Sequence, residues 1–329
     1  MKKEISFLGL TVSLSISRST HKENDTEKKH SLWNKLKSDR SKGIGLLGAI
    51  DKSFKSVECI TSPKENTKFF YKDSDLQLPL DNGAGLKSLV FGEYDYQAIS
   101  YVANFIINHL KDNPPLVIDL GANCGLWSRQ LLIEISKKNK KKSIDQLDLI
   151  AYEADVKIAK MAERNLKIFN SHISVFHQGV SIEGGKKTFY FDDKHPTSSS
   201  LIPLDDRHYD VRKKTISTIS AKDFQNYCLE RGGNRPYIYK SDIEGLDLSL
   251  FVELDESFHE NIYLAIIESR LGELNELQLS KFEKIILKYE NVYIWNRVRD
   301  FIPVKKAHAL SELKNFDGCD LILSKHNVG

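Results

Sequence analysis

Five carboxylates and one lysine occupy positions from which they could do chemistry together. They are Asp119, Glu153, Asp242, Glu244 and Glu268, with Lys240 among them. Each acid stands within or just after a short apolar, β-rich run, so an alternating strand–helix chain would deliver all of them to the carboxyl edge of one sheet. A carboxylate at such an edge can accept hydrogen bonds from a ligand's hydroxyl groups, or take a proton from one of them. Lys240-Ser241-Asp242-Ile243-Glu244-Gly245 reads as the end of a strand that begins at Tyr237. Alternate residues of an extended chain share a face, which would line up Lys240, Asp242 and Glu244. Three ionisable groups on one face of a central strand are costly to bury without a use, although a structural salt-bridge ladder would also explain them.

The element that must position Asp119 is the run Leu116-Val117-Ile118-Asp119-Leu120. It is too short for a helix and suits a buried parallel strand. Pro114 and Pro115 end any preceding helix, and Gly121 and Gly125 bracket a turn before an apolar series at helical spacing: Leu126, Leu131, Leu132 and Ile135. One glycine would let the backbone turn sharply, and the other would let a ligand lie against main chain. The spacing is Asp-x-Gly-x-x-x-Gly, which differs from the Gly-x-Gly-x-x-Gly cradle of a dinucleotide pyrophosphate, and no Walker lysine follows. A cofactor with an adenosine and no phosphate fits, and S-adenosylmethionine is such a cofactor. A second strand, Leu147 to Tyr152, ends in Glu153, 34 positions after Asp119. That is where an acid can hold both ribose hydroxyls.

Further elements follow the same alternation. A helix is expected over 156–169, a strand over 173–176 ending near Gly179, a hairpin arm over 187–191 and a short strand over 215–219. Then come a helix over 221–229, the Tyr237 strand, a helix over 246–254 and a strand over 263–267 that ends in Glu268 and Arg270. A helix over 274–288 and strands over 292–295 and 320–323 complete seven strands. The last two have no clear crossover helix between them, so an antiparallel end is expected. A helix over 94–110 leads into the double proline, its aromatic start Phe91 to Tyr96 lying where a lid over a cofactor would sit. Asp81-Asn82-Gly83-Ala84-Gly85 reads as a turn between two extended runs.

The fold class is therefore α/β, a Rossmann-like sheet of mostly parallel strands over residues 61–329, preceded by an extension over 1–60. In the extension, Leu10, Val12, Leu14 and Ile16 alternate with polar residues, which is strand spacing more than a signal peptide. Residues 18–56 are polar, basic and partly amphipathic. They would pack on their own domain, on a second copy of the chain, or peripherally on an anionic membrane. No run approaches the length needed to span a bilayer. A net charge of +3 over 329 residues makes no case for nucleic acid. Cys59, Cys124, Cys228 and Cys319 are scattered, as reduced thiols of a cytoplasmic protein would be.

Three stretches occur in order: Val117-Ile118-Asp119-Leu120-Gly121-Ala122-Asn123-Cys124-Gly125-Leu126-Trp127-Ser128, then Tyr152-Glu153-Ala154-Asp155, then Lys240-Ser241-Asp242-Ile243-Glu244-Gly245. In these the sequence resembles the FkbM family of S-adenosylmethionine-dependent methyltransferases, from about Phe91 to Glu268. Ala154 stands where that family usually has proline, and residues 1–60 have no counterpart in it. The resemblance implies the class I methyltransferase sheet, with Asp119, Gly121 and Glu153 binding the cofactor. It also implies Lys240, Asp242 and Glu244 facing the methyl-transfer site, and O-methylation of a secondary metabolite or a surface sugar. Asn123, Gly125 and Gly179 join the expected cofactor contacts. Asp242 is the expected base, with Glu244 or Glu268 orienting it or holding a small-molecule or glycan acceptor, and Lys240 keeping it ionised. The same acids could instead hold a divalent cation through oxygen ligands, which is the less favoured arrangement. The competing readings are a nicotinamide-dependent oxidoreductase or epimerase, which the glycine spacing disfavours, and a non-catalytic cofactor-binding partner protein.

Overall fold

The computed structural model describes residues 96–295 apart from 111, 139–146, 168, 170–171, 193–198 and 204–210, and residues 301–326 apart from 307–308 and 317. Within the first 95 residues it describes the strand segments 2–7, 10–15, 59–60, 70–73 and 76–79. The chain divides into two compact units, residues 1–94 with 194–197, and residues 95–193 with 198–329.

The first unit carries a five-stranded sheet in the order β2-β1-β3-β4-β5. Its strands are β1 (Lys2–Phe7), β2 (Leu10–Ser15), β3 (Cys59–Ile60), β4 (Phe70–Asp73) and β5 (Leu76–Pro79). β1 and β2 form an antiparallel hairpin, as the alternation at Leu10 to Leu14 predicts. The basic segment over 18–56, the turn at Asp81 to Gly85 and the aromatic start from Phe91 lie outside the described residues.

The second unit begins with α1 (Tyr96–His109), β6 (Leu116–Leu120), α2 (Leu126–Lys138), β7 (Asp148–Tyr152), α3 (Val156–Leu166) and β8 (His172–Phe176). A small sheet follows, made of β9 (Gly179–Ser181), β10 (Gly185–Asp192) and β11 (Val211–Ser220). Next come α4 (Ala221–Gly232), β12 (Tyr237–Ser241), α5 (Asp247–Val252), α6 (Glu256–Asn261) and β13 (Ile262–Ser269). The chain ends with α7 (Glu276–Leu287), β14 (Asn291–Trp295), β15 (Phe301–Pro303), α8 (Ala309–Leu313) and β16 (Cys319–Ser324).

The main sheet has the order β15-β14-β16-β13-β12-β6-β7-β8. β6, β7, β8, β12 and β13 run parallel, and β16 is inserted antiparallel between β13 and β14. This is the Rossmann-like sheet with an antiparallel last strand that the sequence predicts. The three-residue edge strand β15 takes the sheet to eight, one more than the apolar runs indicate, because Phe301-Ile302-Pro303 is too short to show a period. Helices cover both faces, so every residue of β6 and β12 is buried. Leu116, Ile118, Leu120, Tyr237, Tyr239 and Ile267 pack on one side with Phe224 of α4 and Phe251 of α5. Val117, Ile238, Leu264 and Ile266 pack on the other with Phe105 of α1 and Leu131 of α2. The second face also receives Asp119, Lys240 and Glu268, two residues further along their strands.

Candidate functional site

Two turns at the carboxyl edge make the floor of the site. The first follows β6. Gly121 and Ala122 donate their N–H groups to the Tyr152 carbonyl, both at 3.0 Å, so the turn is fastened to the end of β7. Gly121 (φ 70°), Asn123 (φ 50°) and Gly125 (φ 75°) are all left-handed. A Cβ on Gly121 would lie 1.9 Å from the Asp242 carbonyl oxygen, and one on Gly125 would lie 3.2 Å from Cα and Cβ of Ala162 in α3. Both glycines therefore admit the close approach of another part of the chain. Asn123 caps its own turn, its Oδ1 accepting the Cys124 N–H at 2.7 Å.

Asp119 is fully buried at the end of β6. A carboxylate there requires compensation. Ser128, one turn into α2, donates its hydroxyl to Oδ2 at 2.6 Å, and Lys240 Nζ sits 2.9 Å from Oδ1. Lys240 also donates to the Gly121 carbonyl at 3.1 Å. Burial would lower the Lys240 pKa, but Asp119 and then Asp242 outweigh it and hold the ammonium above its ordinary value. Lys240 thus pairs chiefly with Asp119, with Asp242 at 3.9 Å. It locks the glycine turn and only secondarily faces Asp242.

Glu153 leaves the end of β7, and its two oxygens accept separate backbone N–H groups, Asn123 at 2.9 Å and Asp155 at 2.7 Å. Burial pushes its carboxyl up to about 7 against those two bonds. Asp155 caps α3, accepting from Lys157 and Ile158, and pairs with Lys214 of β11 at 2.5 Å. The small sheet is thereby tied to the same corner. Gly179 opens β9 in that sheet, where a Cβ would lie 3.2 Å from Thr218 Cγ2 and 3.6 Å from Ala154 Cβ.

The second turn corrects the sequence reading. β12 stops at Ser241, and Glu244 has φ 57°, so Lys240, Asp242 and Glu244 do not continue along one strand face. The cause is Asp247, the buried first residue of α5. Its carboxylate accepts the Ser241 hydroxyl at 2.5 Å and the N–H groups of Ile243 at 2.9 Å and Gly245 at 3.2 Å, which curls the chain. Burial raises the Asp247 carboxyl to about 6. From the far side, Ser200 donates its hydroxyl to the Glu244 carbonyl at 2.5 Å. Arg270 Nη2 bridges Glu244 Oε2 and Glu268 Oε1, each at 3.1 Å. Burial is the largest influence on both acids, with Asp242 next, and it lifts Glu244 to about 8 and Glu268 to about 7.

The structure thus gathers the expected residues into three linked pairs: Asp119 with Lys240, Glu153 with the Asn123 backbone, and Glu244 with Glu268 through Arg270. Asp242 stands between the first and third. Ser128, Ser200 and Asp247 went unassigned in the sequence. Ser128 follows Gly125 by three and Asp247 follows Gly245 by two, but Ser200 lies in a polar loop with no distinguishing signal. Among the described residues no group of three or more histidine, cysteine or acidic side chains is arranged to hold a metal ion. No described helix is long and apolar enough to cross a membrane.

No family model matches the chain. Over 207 residues it is 22% identical to Methyltransferase sdnD of Sordaria araneosa, a match spanning 55% of this chain and 76% of that protein. Among solved structures it is similar to a precorrin-6y C5,15-methyltransferase from Geobacter metallireducens, with a TM-score of 0.32 and 9% identity over 71% of this chain and 90% of that one. It is also similar to an S-adenosylmethionine-dependent O-methyltransferase from Thermotoga maritima, with a TM-score of 0.32 and 11% identity over 78% of each chain. At such scores these likenesses add nothing to the strand order, which defines the fold by itself.

Proposed function

We propose that this chain is an S-adenosylmethionine-dependent methyltransferase acting on a hydroxyl oxygen of a small metabolite or glycan. The observation that carries this reading is Glu153. It projects from the end of the strand beside β6, across a glycine turn that lacks the pyrophosphate fingerprint, and two backbone N–H groups fix its carboxylate. Each oxygen has acceptor capacity left, which suits two adjacent ribose hydroxyls. The similarity to a curated methyltransferase supports the same reading.

When bound, the cofactor supplies an activated methyl group, so the chain's task is alignment and proton removal. In this reading Glu153 holds the ribose end. Lys240 keeps the glycine turn and Asp119 in register and stands 3.9 Å from Asp242. Asp242, half-buried at the mouth between the two turns, receives the proton of the acceptor hydroxyl. Arg270 holds Glu244 and Glu268 on the acceptor side. Residues 1–60 are an extension that adjusts acceptor choice in this proposal.

The test is a thermal shift. At 100 times its dissociation constant a ligand stabilises by about 2.7 kcal/mol, which is several degrees for a domain of this size. S-adenosylmethionine and S-adenosylhomocysteine are expected to raise Tm, and NAD and NADP to leave it unchanged. The opposite pattern would return the chain to the oxidoreductase class.

A further inference from the structure

Glu268 is 7% exposed at the end of β13, and only one of its oxygens is engaged. Oε1 accepts from Arg270, whereas Oε2 is buried with no hydrogen-bond partner among the described residues. A carboxylate oxygen removed from water and left unpaired is a strong acceptor awaiting a donor. Its neighbours give it no such donor. Asp320 of β16 lies directly opposite in register, and Trp295 of β14 lies opposite Asp320. The Trp295 indole Nε1 is also buried without a partner among the described residues. Two strands apart on one sheet face, the edge therefore presents an unused acceptor and an unused donor. The charge around them is lopsided: Arg270 is shared among Glu244, Glu268 and Glu273, and Lys240, 3.9 Å from Asp242, is already paired with Asp119.

We propose that Glu268 and its neighbours on this edge form the acceptor subsite, which takes a neutral or cationic molecule through an O–H or N–H donated to Glu268 Oε2 and excludes phosphorylated or carboxylated acceptors. This rests on the methyltransferase reading above and adds the charge class of the substrate to it. Hydroxyl groups suit the edge because each can donate to Glu268 while still accepting from another donor. Above about pH 8, where Glu244 and Glu268 are charged, an anion would meet two carboxylates sharing one arginine, and like charges at close range are strongly disfavoured.

The experiment uses the full chain and two cofactor-site probes, S-adenosylhomocysteine and sinefungin, whose ammonium-bearing carbon replaces the methylated sulfur. Calorimetry at pH 8 is expected to show sinefungin binding about tenfold or more tightly, the scale of one charge-assisted hydrogen bond. Glu268→Gln is expected to bring that ratio to within about threefold while S-adenosylhomocysteine affinity stays unchanged, and Glu268→Asp, which keeps the charge, to restore most of it. A ratio unaltered by Glu268→Gln overturns the subsite. Failure of both probes to bind the wild-type chain instead overturns the methyltransferase reading beneath it. In a second arm, labelled methyl groups transferred into a small-molecule extract are resolved by ion exchange. Label is expected in the fraction that an anion exchanger does not retain, and a cation exchanger then separates amines from neutral hydroxyl compounds. Label retained as anions overturns the charge rule.

Discussion

Replacing Gly121 by alanine tests whether the two turns are built against each other. The alanine Cβ would sit 1.9 Å from the Asp242 carbonyl oxygen, where real Cβ contacts essentially never fall below 3.0 Å, so one turn must retreat by about 1.1 Å. Neither turn is free to do so. Gly121 is fastened through its N–H to Tyr152 and through its carbonyl to Lys240, and Asp242 donates its own N–H to Leu120 at 3.0 Å. The left-handed φ of 70° costs a non-glycine residue about 1 kcal/mol. Losing one or two of these hydrogen bonds adds about 1 kcal/mol each. Gly121→Ala is therefore expected to destabilise by roughly 2–4 kcal/mol in urea titrations. It should also weaken S-adenosylhomocysteine binding at least tenfold, since both turns form the site. The obstacle is a main-chain carbonyl, so adding Asp242→Gly to Gly121→Ala should not restore stability. A Gly121→Ala protein within about 0.5 kcal/mol of wild type with unchanged cofactor affinity, or a rescue by Asp242→Gly, would refute the reasoning.

Gly125→Ala should cost less, about 1–2 kcal/mol, because its nearest obstacles are 3.2 Å away on α3 and can yield slightly; a larger loss than Gly121→Ala would reverse the assignment. Glu153→Ala should weaken cofactor binding by roughly tenfold or more, read by calorimetry, from the loss of charge-assisted bonds to the ribose. Asp242→Asn should leave cofactor affinity within a few-fold and reduce turnover by about 10²–10⁴; lost affinity with surviving turnover would pass the proton-accepting role to Glu244 or Glu268. Glu153, Asp247, Glu244 and Glu268 all hold protons more tightly in the folded chain, burial being the first cause for each. Their contribution is complete below the ordinary carboxylate range and is lost as pH rises through about 6 to about 8, so Tm of the ligand-free chain should fall across that window. Glu244→Gln and Glu268→Gln should flatten the slope, and a Tm that stays level over the same range would show these acids to be solvated.

The parallel strands were legible because each is a short apolar run closed by an acid or a glycine, a pattern that survives with no knowledge of neighbours. β6 came out at Leu116–Leu120 as read, and β7, β12 and β13 within a few residues. What the sequence hides is where a strand stops when a side chain from further along intercepts it. Lys240-Ser241-Asp242-Ile243-Glu244 alternates like a strand, and only the buried Asp247 carboxylate, taking one hydroxyl and two N–H groups, breaks it after Ser241. The left-handed turn that results sends Glu244 toward Arg270 and leaves Asp242 beside Lys240. The same interception explains the glycines. Asp-x-Gly-x-x-x-Gly correctly marks a tight turn, but the space that Gly121 vacates is claimed by the chain 121 positions later, at Asp242, a contact that no local pattern encodes. The broken strand and the crowded glycine are thus one physical fact: the turn after β6 and the turn after β12 interlock, and Asp247 sets the shape of the second. If Asp242 is the base, its placement depends on a carboxylate five residues away that never meets the substrate.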